Sequence, residues 1–125
     1  IVPDSFRILR ALLSRLEDEA SGQIELPGLH ADIPPGRIAE ARRSAEVLGP
    51  RLHTRFPFVK GAAPAARDLA EHVLSRTWRP ALTVTGAEGL PKIGDAGNVL
   101  RPHTAVKLSL RLPPTVDAVK ASSSQ

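Results

Sequence analysis

Two stretches near the C-terminal end of the chain alternate between apolar and polar residues. In AVKLSLRL, an apolar row takes every second position: Val106, Leu108, Leu110 and Leu112. Between them stands a mainly polar and basic row: Ala105, Lys107, Ser109 and Arg111. A period of two predicts a strand with one apolar face and one polar face. The stretch after Pro80 follows the same pattern, with Leu82 and Val84 on one side and Thr83 and Thr85 on the other.

The connection between these predicted strands runs from Gly86 to Thr104 and has glycine at positions 86, 89, 94 and 97. A plain hairpin needs only about two to five connecting residues. Long loops inside compact domains are usually either disordered or functional. The glycines match neither G-K-[ST] nor G-x-G-x-x-G, so a phosphate-binding loop is not indicated. We expect them to permit a tight loop instead.

A first helix is predicted over residues 4–20. Asp4 and Ser5 can cap its N-terminus, and Pro3 suits a helix entrance. One broad apolar stripe follows at helical spacing, formed by Phe6, Ile8, Leu9, Leu12, Leu13 and Leu16. Gly22 is placed to end this helix.

Two further helices are predicted before the strands, over residues 37–48 and from Pro64 to about Ser75. Their inward faces would be Ile38, Ala41, Ala45 and Leu48 in one and Ala66, Leu69, Ala70, Val73 and Leu74 in the other. Residues 51–63 show no sustained period and are predicted to be a loop. We expect Trp78 to pack over the end of the third helix. The tail after Asp117 could begin a helix or fray.

Composition narrows the class of protein. Hydrophobic residues make up 42% of the 125 residues, which can support a core and argues against disorder of the whole chain. Cysteine is absent, so disulfides and thiolate metal sites are excluded, with a mild preference for the cytoplasm. No stretch has the pattern of a membrane span or a signal peptide. The net charge of +4 is spread along the chain and is interpreted as a solvated surface.

These elements predict an α+β fold. A two-stranded ribbon is marginal alone and leaves two edges unpaired. We therefore expect residues 1–125 to be a single domain cut from a larger protein, with one strand before residue 1 and a helix and a strand after residue 125. These would complete a two-layer split βαβ (ferredoxin-like) sandwich, with helices on one face of an antiparallel sheet.

Several segments resemble one family. PALTVTGAEG, GNVL and KLSLRLPP are similar to the lid, or dimerisation, domain of the di-zinc exopeptidases related to carnosinase, aminoacylase and succinyl-diaminopimelate desuccinylase. PDSFRILRALLSRLEDEASGQIELPGL resembles the first helix of that domain and its D-x-x-G-x-I-x-x-P-G turn, here Asp18 to Gly28 with slightly different spacing. The resemblance covers nearly the whole chain, is weakest over residues 34–77, and is greatest to the dipeptidase branch.

The resemblance implies roles for two residues. In the family, the lid strand ending in S-x-R-L-x-P supplies an arginine that reaches the substrate carboxylate, and the matching residue is Arg111. A small polar residue before V-I-P approaches the substrate across the dimer, and it matches Asn98. This chain has Arg101-Pro102 where the family pattern has proline directly, so its loop can differ there. The family's lid histidine would fall before residue 1.

The parent protein implied by the resemblance is a zinc-dependent dipeptidase or amidohydrolase, a metallopeptidase in which two zinc ions activate water. This chain would orient the substrate and pair the subunits of a homodimer, with no catalytic residue and no metal ligand of its own. Its expected partners are its own catalytic domain, a second copy and a dipeptide substrate, with no nucleic acid and no membrane. The expected location is cytoplasmic.

His30-Ala31-Asp32 has the H-x-D spacing of a metal-ligand pair in this family. Two ligands do not make a di-zinc site, which needs further carboxylates and histidines. The other histidines, His53, His72 and His103, have no partner at metal-ligand spacing. The residues around His30 match the lid turn instead, so no metal site is expected here.

Two other functions stay open. A small-ligand regulatory or oligomerisation module of similar topology would carry the same strands and loop, and fusion to a catalytic domain would distinguish the two. An RNA-binding module suits the split βαβ fold and the basic charge. RNA-binding sheets present stacking aromatics on their strands, however, and neither predicted strand contains one.

Overall fold

The computed structural model describes residues 1–123 and has an α+β fold, as predicted. Its helices and strands are α1 (Ser5–Leu13), α2 (Pro35–Leu48), α3 (Arg51–Thr54), α4 (Leu69–Thr77), β1 (Ala81–Glu88), β2 (Ala105–Arg111) and α5 (Ala118–Ser123). The chain divides into two compact units. We call residues 1–26 with 82–111 the ribbon unit, and residues 27–81 with the segment from Leu112 the helical unit.

Helix α1 opens the ribbon unit and is shorter than predicted. Its N-cap is Asp4, as expected, because the carboxylate accepts a hydrogen bond from the backbone N–H of Arg7 at 3.1 Å. The helix ends at Leu13 instead of residue 20. The predicted apolar stripe is present but not buried, since the exposed fraction is 41% for Phe6 and 49% for Leu12.

A tight turn replaces the predicted last turns of this helix. The carboxylate of Asp18 accepts hydrogen bonds from the backbone N–H of Ser21 at 2.7 Å and from its hydroxyl at 2.6 Å. Such side-chain bonds to nearby backbone compete with helix formation. Gly22 has a φ of 69°, and an antiparallel bridge joins Glu17 to Ile24. Gly22 therefore lies in a hairpin turn and does not end a helix.

Strands β1 and β2 form a two-stranded antiparallel sheet. Two close approaches fix their register. A Cβ built on Gly86 would lie 3.7 Å from the Cβ of Lys107, and one built on Gly89 would lie 3.0 Å from the Cα of Thr104. Gly86 is thus opposite Lys107 and Gly89 is opposite Thr104, as expected for strands that run in opposite directions. Gly86 lies within β1, so the connecting loop begins at Gly89 and not at Gly86 as predicted.

The core of the helical unit lies where α2, α3 and α4 pack together. Its buried cluster consists of Ala45, Leu52 and Ala70, with Leu69 and Val73 packed against it. Helix α2 matches its prediction within two residues and ends at Gly49, whose φ is 52°. The prediction of a loop over 51–63 is wrong at α3, a single turn too short to show a period.

Helix α4 begins five residues later than predicted. Asp68 is its N-cap and accepts a hydrogen bond from the backbone N–H of Glu71 at 3.0 Å, which explains the start at Leu69. At the other end, half-buried Trp78 donates its backbone N–H to the carbonyl of Leu74 at 2.7 Å. Arg79 then binds Glu71 with two guanidinium nitrogens. This hydrogen bond raises the pKa of the arginine.

The segment after Asp117 forms a helix up to the end of the described residues. The carboxylate of Asp117 accepts hydrogen bonds from the backbone N–H groups of Val119 at 2.9 Å and Lys120 at 3.3 Å. The tail was predicted either to begin a helix or to fray, and this capping explains why it forms a helix. Over residues 1–123, no helix has the length and apolar character to cross a membrane.

Candidate functional site

Arg111, the predicted substrate-binding arginine, is the last residue of β2 and lies on its exposed face. Exposed and half-buried positions alternate along the whole strand. Lys107, Ser109 and Arg111 are exposed, and the leucines between them are half-buried. The predicted polar row therefore exists as a continuous solvent-facing row. A guanidinium on it is able to bind a carboxylate with both nitrogens.

Asn98, the second predicted residue, is exposed in the loop between the strands. It follows the short 3₁₀ turn Ile93–Asp95, and the backbone N–H of Val99 bonds back to the carbonyl of Gly97 at 2.9 Å. The loop leaves β1 at Gly89 and enters β2 at Thr104. Arg111 is at the far end of β2, seven residues from Thr104, or roughly 23 Å of extended chain.

The other half of this face comes from β1. Because Gly86 faces Lys107 across the sheet, the alternation of a strand puts Val84 and Leu82 on the same side as Lys107 and Arg111. The apolar row of β1 and the apolar row of β2 are thus on opposite faces. Val84 is accordingly 49% exposed. The sequence pattern of two matched strands did not predict this offset, because it depends on the pairing register.

A groove lies beside Lys107. It has a volume of about 410 Å³ and is lined by Gly86, Ala87, Glu88, Ala105, Val106 and Lys107. Small residues form half of its lining, since Gly86 has no side chain and two of the others are alanine. Lys107 and Glu88 supply its charged groups. The alternating pattern of β2 predicts Lys107 on the polar row, but the groove also requires Gly86 to be opposite Lys107, which the pattern does not predict.

The histidines do not assemble a metal centre in the described part of the chain. Among residues 1–123, no group of three or more His, Asp or Glu side chains comes close enough to hold an ion. His53 and His72 form an edge-to-face ring contact, with centroids 5.3 Å apart. The Nε2 atom of His72 is 2.6 Å from the carbonyl oxygen of Ala66. The zinc ions implied by the resemblance thus find no matching ligand set in these residues.

The fold matches part of several solved peptidase structures. Human carnosine dipeptidase 1 has a TM-score of 0.68 at 19% sequence identity, over 98% of this chain and 26% of that one. The dipeptidase Dug1p from Saccharomyces cerevisiae has a TM-score of 0.67 at 21% identity, over 98% and 25% of the two chains. The M20 family metallo-carboxypeptidase Sso-CP2 from Sulfolobus solfataricus has a TM-score of 0.69 at 18% identity, over 98% and 32%.

These matches confirm, at the level of the fold, the resemblance inferred from the sequence. The chain spans about a quarter to a third of the length of the matching structures. No protein-family sequence model and no curated protein sequence matches the chain. The identities are low, so the shared feature is the backbone arrangement.

Proposed function

We propose that this chain is the lid and dimerisation domain of a larger dipeptidase, a hydrolase of the metallopeptidase class. Its task is to hold the substrate carboxylate and to pair two subunits. The fold is that of part of two dipeptidases and a carboxypeptidase, and the chain covers only a quarter to a third of each. The single observation that carries the proposal is an arginine on the open face of β2, at the position that the family motif assigns to substrate binding.

Arg111 is suited to the carboxylate by its chemistry. The planar guanidinium presents two parallel N–H groups, which match the two oxygens of a carboxylate, and lysine does not reproduce this geometry. A strand is also a more rigid support than a loop, so a substrate held from β2 is oriented and not merely attracted. In this proposal Arg111 binds the C-terminal carboxylate of a dipeptide.

Asn98 is assigned to the active site of a second copy. Its loop leaves the ribbon at the end remote from Arg111. In this proposal, Asn98 and Arg111 of one subunit therefore contact substrate molecules in two different active sites. A homodimer in which each loop reaches the site of its partner brings both residues to one substrate. The self-complementary surface and the contact of Asn98 with substrate are both part of the proposal, as is a cytoplasmic parent enzyme.

Zinc chemistry is assigned to the parent's catalytic domain. Residues 1–123 bring no three potential ligands together. A zinc ion bound elsewhere would act as a Lewis acid and activate water. Residues of this chain take no part in that chemistry in the proposal. They bind, orient and enclose the substrate.

The test is the kinetics of the full-length parent enzyme on dipeptides. Arg111→Ala should lower kcat/KM on the order of 10- to 100-fold, the range expected for losing a charge-assisted hydrogen bond. Arg111→Lys should recover only part of the loss, because lysine restores the charge but not the two parallel N–H groups of the guanidinium. The matched control is Arg42→Ala on the exposed face of α2, which should leave kcat/KM unchanged. Zinc content should be equal in all variants.

Unaltered kinetics in Arg111→Ala would remove this residue from the site and leave the regulatory or oligomerisation module as the better hypothesis. A loss of zinc in Arg111→Ala would contradict the assignment of zinc binding to the catalytic domain alone. The dimer is tested separately, by mixing Asn98→Ala subunits with Arg111→Ala subunits. If Asn98 acts across the dimer, mixed dimers regain one intact site.

A further inference from the structure

We propose that Lys107 determines substrate specificity, by binding an acidic side chain of the same substrate that Arg111 holds. The inference rests on the proposed function and extends it from dipeptides in general to dipeptides that carry a second carboxylate. Two cations lie on one face of β2. Lys107 and Arg111 belong to the same exposed row of β2, four residues apart. Their Cα atoms are therefore roughly 13 Å apart along the strand.

This spacing suits a doubly anionic dipeptide. Both residues carry their charge at the end of a long side chain, so the distance between the two charged groups can be shorter than the distance between the Cα atoms. Their charged groups can then approach to within the length of an extended dipeptide whose first residue is acidic. Ser109 lies between them on the same row and adds a hydroxyl without bulk. The row thus offers a cation at each end and space between them.

Gly86 creates the space that a ligand needs next to Lys107. The Cβ position of Gly86 is 3.7 Å from the Cβ of Lys107, so any larger residue there would place a side chain against the lysine stem. With glycine, the groove of about 410 Å³ opens at this point. Its wall on the β2 side includes Ala105, another small residue. A carboxylate can therefore reach the ammonium group from the groove.

The ammonium group of Lys107 is available for such a ligand. Two ion pairs in the described part of the chain join Arg37 to Glu40 and Arg79 to Glu71, and neither involves Lys107. Glu88 lines the same groove and is the acidic group nearest in the register, but it forms no ion pair with Lys107 in the described structure. Glu88 would therefore compete weakly with a substrate carboxylate.

The experiment compares two substrates that differ only in charge. The full-length parent enzyme is assayed with glutamyl-alanine and with glutaminyl-alanine, and the ratio of their kcat/KM values is the readout. The wild type should prefer the glutamyl substrate. Lys107→Gln should reduce this ratio about threefold to fivefold, the upper range for a solvent-exposed ion pair. Glu88→Gln should increase it, because the competing carboxylate is gone.

Controls separate this inference from the proposed function. Lys60→Gln removes an exposed lysine of the helical unit and should leave the ratio and both rates unchanged. Arg111→Ala should reduce both rates while keeping the ratio. If Arg111→Ala acts in this way but Lys107→Gln keeps the wild-type ratio, the role of Lys107 is refuted and the lid function stands. If neither dipeptide is hydrolysed, or if Arg111→Ala changes nothing, the proposed function fails and the inference fails with it.

Discussion

The two units of the chain are stabilised in different ways. In the helical unit, small side chains bring helices close together, and most buried hydrophobic residues of the described chain belong to it: Leu29, Ala41, Ala45, Leu52, Ala70, Leu74 and Ala121. The ribbon unit contributes one, Ile24. Its stripe on α1 and its loop leave large apolar side chains exposed, and Ile93 in the loop is 96% exposed.

Hydrogen-bonded contacts take the place of a core in the ribbon unit. The hydroxyls of Ser5 and Thr104 are 2.8 Å apart and join the start of α1 to the start of β2. Asp18 closes the hairpin turn after α1, and Gly89 allows the strands to meet. The comparison teaches that strong amphipathic patterning does not guarantee burial. The elements with the most regular apolar patterns, α1 and β2, belong to the unit with fewer buried hydrophobic residues.

The largest effect is expected from truncating a buried leucine of the helical unit. Leu74 is 6% exposed, so Leu74→Ala should lower the free energy of unfolding by about 2–5 kcal/mol through lost burial and a cavity. Leu12→Ala makes the same change on α1, where the side chain is 49% exposed, and should cost less than about 1 kcal/mol. Urea unfolding of the two variants checks this. Equal losses would show that α1 is buried in solution and that the two units do not differ in this respect.

A second test contrasts two glycines with nearly equal positive φ angles, one in each unit. Gly89 has a φ of 88° and Gly61 a φ of 89°. A Cβ on Gly89 would overlap the carbonyl oxygen of His103, whereas one on Gly61 meets nothing within 4 Å. Gly61→Ala should therefore cost only the backbone strain, about 1 kcal/mol, and Gly89→Ala about 2–4 kcal/mol. Thermal unfolding measures the difference, and a Gly89→Ala variant as stable as Gly61→Ala would disprove the close strand approach.

The smallest effect concerns the Asp18 turn. Hydrogen bonds from the side chain and backbone of Ser21 lower the pKa of Asp18 below 3.8. A carboxylate with a lowered pKa stabilises the folded state above its ordinary pKa, and that stabilisation is lost as the pH falls through the lowered value. Ser21→Ala should bring the pKa back toward 3.8 and weaken the acid dependence of the turn. Titration by NMR checks this, with Ser44→Ala as the control that leaves Asp18 unchanged.

The spacing of apolar residues and the positions of capping residues predicted much of the fold. The alternation in β2, the cap at Asp4 and the end of α2 at Leu48 follow from local chemistry, and all three are present. Errors came where a tertiary or side-chain contact decided the outcome. The turn at Asp18 ended α1 early, Asp68 set the start of α4, and α3 is stabilised by burying Leu52.

The candidate site was predictable in part. The exposed position of Arg111 follows from the alternation of a single strand. The groove beside Lys107 does not, because it depends on which residue of β1 is opposite, and sequence alone leaves that register undetermined. The same register explains why Leu82 and Val84 share a face with the basic row, contrary to the simple picture of one apolar side.

The meeting of Gly89 with His103 and Thr104 has a consequence for variation in this protein. This contact holds the two strands together where the loop begins and ends. The loop over residues 90–102 can therefore change in length without shifting the pairing of β1 with β2. Insertions there would reshape what the loop touches while Arg111 and Lys107 kept their direction. If the proposed function holds, substrate contacts made by the loop and substrate contacts made by the ribbon would thus be able to evolve separately.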